Sequence, residues 1–149
     1  MERGDGEVRV LLGPLDDHPV RPIYEPVAPQ DSYFATETYD AVVLAYGHQE
    51  AGEIQWPSMQ DALALEGLDG LIPFPVEDNL KSADGTAYTG VVVQWAPKAL
   101  PGEAKADGHA IYSHRDDVKY QYGCFADSFL KTGHAKVPPP KTDWKASCD

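Results

Sequence analysis

The sequence predicts an α+β fold: a mainly antiparallel β-sheet with two short helices and extended proline-rich segments. Three observations predict it. Residues 39–46 (YDAVVLAY) and 88–96 (YTGVVVQWA) are almost continuously apolar, the pattern of strands buried on both faces. Residues 109–113 and 118–122 flank the polar quartet His114, Arg115, Asp116 and Asp117, which reads as a hairpin with a four-residue loop. Five prolines fall between Pro14 and Pro29. Proline fixes φ and removes a backbone donor, so this stretch is expected to run extended along a surface or a sheet edge.

Taken in order, the elements begin with a short strand at residues 8–12 (VRVLL), followed by the proline-rich stretch with Val20, Ile23, Tyr24 and Val27 as apolar anchors. Gly47 closes the strand at 39–46 and opens a polar loop to Glu53. Ser58 with Asp61 three residues on resembles a capping box, and residues 59–66 (MQDALALE) form a two-turn helix ending before Gly67. Residues 68–76 are apolar but interrupted by Gly70, Pro73 and Pro75, so they read as an irregular edge. The strand at 88–96 follows, then a Gly/Pro/Lys loop, the hairpin, and a second short helix at 125–132 with Gly133 as its cap. One parallel crossover fits this order, from 39–46 through 59–66 to 88–96.

The 149 residues match one domain, with 1–7 and 138–149 as extended arms. Lys and Arg number 12 against 24 Asp and Glu, a net charge of −12. That balance opposes binding to nucleic acid phosphates. No apolar run approaches the roughly 20 residues of a membrane helix. The charge is uneven: residues 1–75 hold three basic and fourteen acidic side chains, residues 76–149 nine and ten, and no lysine precedes Lys81. No basic segment leads into an apolar one at the N-terminus, so no signal peptide is visible. Cys124 and Cys148 could close a disulfide, which would imply an extracytoplasmic compartment, or remain two thiols.

The composition points first to a non-catalytic acidic protein-binding protein, an inhibitor, an immunity-type protein or an accessory subunit, whose partner has a basic surface. Its expected contact residues are Glu37, Asp40, Glu50, Glu53, Asp61, Glu66 and Asp69, with Tyr120 and Tyr122 sharing an aromatic strand face. An alternative is a small hydrolase. Cys124 would be its nucleophile at a helix N-terminus, which favours thiolate. Otherwise His48, Glu50 and Glu53 would work together in the loop after a buried strand. A second alternative is a carbohydrate-binding or virion-type structural module that stacks sugars or neighbours on exposed aromatics. Asp16, Asp17 and His18 carry the donor types of a metal site. The first reading requires neither a metal nor a cofactor.

Overall fold

The computed structural model describes residues 20–148. The strand expected at 8–12 lies outside them. The chain runs β1 (Ile23–Val27), α1 (Thr36–Tyr46), β2 (Gln49–Gly52), α2 (Ser58–Ala64), β3 (Leu71–Ile72), β4 (Val76–Glu77), β5 (Leu80–Lys81), β6 (Ala87–Tyr88) and β7 (Gly90–Gln94). A 3₁₀ turn (Gly108–Ala110), α3 (Ile111–His114), α4 (Asp116–Thr132) and β8 (Lys136–Val137) complete it.

The main sheet has the order β1-β7-β2-β3, and every pairing in it is parallel. Two small antiparallel pairs, β4 with β8 and β5 with β6, stand apart from it. The expected mainly antiparallel sheet with two short helices is therefore wrong: among the described residues four α-helices accompany a parallel four-stranded sheet. Two misread segments account for the error. Residues 39–46 belong to α1, and the expected hairpin strands at 109–113 and 118–122 belong to the 3₁₀ turn, α3 and α4.

Helix α1 ends at Gly47, whose left-handed φ of 68° lets its N–H reach the carbonyls of Leu44 and Val43. Its apolar run is not buried on two sides. Val43 is 1% exposed, whereas Val42 is 38% exposed. Low helix propensity of valine is overridden by packing of one face. In α4, Asp116 and Asp117 occupy the first turn, where the helix dipole favours anions. Val118, Gln121 and Phe125 follow at helical spacing. The three-residue alternation of Val118, Tyr120 and Tyr122 imitated a strand over too short a window to reveal that period.

Strand β7 is fully buried along its length. Val92 packs with Val43, Met59 and Leu63 of the α1–α2 side, and Val91 and Val93 pack with Ile111, Val118 and Val137 on the other. The sheet is thus covered on both faces, as parallel sheets require. Burying each of these valines stabilises by about 1.5–3 kcal/mol over leaving it exposed. Among the described residues β1 is an outer strand, which suits Pro26, since proline cannot donate to a ladder on both sides.

Candidate functional site

Helices α1 and α2 pack side by side over one face of the sheet. No Lys or Arg occurs between Arg21 and Lys81, so the whole α1–α2 layer lacks a fixed cation. Its one histidine, His48, is 1% exposed. Glu37 on α1, Asp61 on α2, and Glu53, Glu66 and Asp69 in the loops bracketing α2 are all exposed. None of these five makes an ion pair among the described residues. Among the described residues, mutual repulsion without a local counter-charge leaves a negative field over this layer, felt within about 8 Å at physiological salt.

Two acids expected on that surface lie beneath it. Asp40 accepts hydrogen bonds from Trp56 Nε1 at 2.8 Å and Ser58 Oγ at 2.6 Å, tying α1 to the start of α2. Ser58 therefore does not cap α2, and no capping box forms with Asp61. Glu50 is wholly buried, because β2 turns it toward α2, where Gln60 Nε2 donates to its Oε2. Its Oε1 makes no hydrogen bond among the described residues. Burial pushes the Glu50 carboxyl above its ordinary pKa; Gln60 opposes the shift and nearby Asp40 adds to it.

The other sequence candidates disperse. His48, Glu50 and Glu53 do not converge: His48 Nδ1 lies 3.2 Å from Glu25 Oε2, Glu50 is held by Gln60, and Glu53 points to solvent. Cys124 and Cys148 are joined as a disulfide, so Cys124 has no thiol to act as nucleophile. The bridge fastens the C-terminal tail to α4, where Tyr120 OH also donates to the Ser147 carbonyl. Tyr120 is 1% exposed and Tyr122 42% exposed, because residues two apart on a helix point to different sides. They form no shared aromatic face. Asp16, Asp17 and His18 lie outside the described residues. Within the described residues no group of three His, Cys, Asp or Glu is placed to hold a metal ion, and no helix is long and apolar enough to cross a membrane.

At the carboxyl end of β1 the structure builds a cluster that the sequence reading missed. Asp31 accepts from the Tyr33 and Phe34 amides, from Tyr39 OH, and from His109 Nδ1 at 3.3 Å. Burial works to raise the Asp31 pKa, but those four hydrogen bonds outweigh it and hold the carboxylate below its usual range. Asp107 bonds the Ser32 and His109 amides, and its hydrogen bonds likewise lower its pKa. Gly108 permits this approach. A Cβ there would sit 2.3 Å from the Pro29 carbonyl oxygen, a backbone atom that cannot move aside.

Tyr33, Phe34 and Tyr112 surround the His109 ring at centroid distances of 4.4, 6.3 and 6.4 Å. An imidazole held by a carboxylate suits acid–base work, but among the described residues no nucleophile is bonded to it. The arrangement's evident effect is to lock the β1–α1 turn to the 3₁₀ turn. Its sequence signals were the Asp107-Gly108 turn pair and Asp31 two residues before an aromatic pair.

Beside this cluster, a pocket of about 270 Å³ opens between β1 and α1. Comparison with protein-family models, with curated proteins and with solved structures gave no match to this chain.

Proposed function

We propose that the chain is a non-catalytic protein-binding protein whose α1–α2 layer is the contact face for a partner with a basic surface. The observation that carries this reading is that Glu37, Glu53, Asp61, Glu66 and Asp69 make no ion pair among the described residues, in a layer whose own sequence holds no Lys or Arg. Each such charge is ordinary alone. Together they favour encounter with a cationic surface and disfavour an anionic one, an effect on association rate of about 10- to 1,000-fold. The disulfide at Cys124 weighs against the nucleophile required by one hydrolase alternative.

Zero-length coupling of carboxylates to amines tests the assignment. The chain, purified gently with whatever accompanies it from its own source, is treated with a carbodiimide and mapped by mass spectrometry. Cross-links from partner lysines are expected at Glu37, Asp61, Glu66 and Asp69. Cross-links confined to Asp116, Asp127 and Asp143 would place the contact on the other side of the sheet and refute the reading.

A further inference from the structure

The β1–α1 pocket joins an apolar wall to a single carboxylate. Pro26 and Val27 of β1 face Phe34, Tyr39 and Val42 across it, and Glu25 completes the lining. The Glu25 side chain is only 17% exposed. One of its oxygens, Oε2, meets His48 Nδ1, while Oε1 makes no hydrogen bond among the described residues. His48 is itself fixed in place, stacked on Tyr46 with centroids 5.1 Å apart. A carboxylate so enclosed favours a cation close by, and the sequence from 22 to 80 supplies no Lys or Arg. His48 meets only Oε2, which leaves Oε1 open to a cation that another molecule can deliver along the apolar wall.

We propose that this pocket receives a lysine side chain of the protein partner, its aliphatic stem lying between Pro26 and Val42 and its ammonium on Glu25 Oε1. Lysine matches the site as a compact charge on a flexible four-carbon stem. Five heavy atoms at roughly 30 Å³ each fill about 150 Å³, within the pocket's volume. Exposed Ala41 and Val42 on α1 extend the apolar rim toward the surface that carries Glu37. The inference rests on the protein-binding reading and assigns that contact one anchoring residue.

The test titrates the isotope-labelled chain with Nα-acetyl-lysine N-methylamide and follows backbone amide shifts. Saturable shifts are expected at residues 25–27, 34 and 38–43, with a Kd on the order of 1 mM, as befits one anchor without its surrounding interface. Acetylation of the probe's side-chain amine removes the charge and should abolish the shifts. Glu25→Gln, which leaves His48 a hydrogen-bonding neighbour, should weaken binding about tenfold. Thr38→Trp, at an exposed position on the pocket's rim, should block it with Glu25 intact.

Equal shifts from the acetylated probe, no saturable shifts, or undiminished binding by Thr38→Trp would each overturn the pocket assignment. Glu37, Asp61, Glu66 and Asp69 do not line the pocket. Loss of partner capture on reversing those four, with no lysine binding at Glu25, would therefore sink the pocket alone. Lysine binding with capture indifferent to the reversals would sink the contact-face reading alone.

Discussion

On one side of the sheet, α4 places each of its carboxylates against a cation: Asp116 against Lys119 at 2.9 Å, Asp117 against Arg115 at 2.6 Å and Asp127 against Lys131 at 2.7 Å. On the other side, the exposed carboxylates of the α1–α2 layer have no such partner among the described residues. The difference separates two uses of charge. The α4 pairs are local and partly exposed, and the two within the helix, Asp116–Lys119 and Asp127–Lys131, contribute about 0.3–0.5 kcal/mol each. The α1–α2 acids add repulsion and, among the described residues, no compensating ion pair, so their physical effect is a field directed outward. The layers also differ in how they are tied down. The α4 side is held by a covalent bridge to the tail, and the α1–α2 side by buried polar bonds centred on Asp40 and Glu50.

Removing the covalent tie should give the largest effect. Replacing Cys124 and Cys148 together by Ser frees a loop of 24 residues' separation and should cost about 3 kcal/mol, read as a lowered midpoint in urea unfolding. Removing the polar tie comes next. Asp40→Ala leaves the buried Trp56 indole N–H without its acceptor and should cost about 2 kcal/mol in the same assay. An unchanged midpoint would mean that α1 and α2 are not joined through this carboxylate.

Glu50→Gln should act in the opposite direction. Because the folded state raises the Glu50 pKa, its stabilising contribution is complete below the unfolded value of about 4.3 and is lost as pH rises through the folded value. The neutral variant should match the parent at low pH. It should exceed the parent at pH 7 and flatten the stability profile between those limits. A profile parallel to the parent's would show that Glu50 does not titrate differently on folding.

The same contrast explains what was legible in the sequence. Strand β7 and helix α2 could be read because each carries one unambiguous pattern: a run of β-branched valines, and Met59 with Leu63 at helical spacing before Gly67. Helix α1 carries a strand-like pattern in sequence because Val42, Val43 and Leu44 are consecutive. Burial of Val43 beside exposed Val42 is decided by the sheet beneath, which lies far away in sequence. The start of α4 was hidden by buried Gln121, a polar residue at a core position. Its amide is satisfied by Tyr24 OH at 2.8 Å and the Pro138 carbonyl at 2.7 Å. The charge asymmetry was countable from composition, but which acids reach the surface was not. Asp40 and Glu50 are buried by the direction in which α1 and β2 turn them.

The central claim is that the outward field of the α1–α2 layer, and not that of α4, makes the contact. Two baits test it most directly. One carries Glu37→Lys, Asp61→Lys, Glu66→Lys and Asp69→Lys; the other carries Asp116→Lys, Asp127→Lys and Asp143→Lys. Each is checked for folding by thermal melt and compared with the parent for partner recovery across a salt series. The account predicts that the first bait loses recovery at least tenfold and loses its salt dependence, while the second stays within about twofold of the parent. Equal recovery by the parent and the first bait at every salt concentration would contradict it.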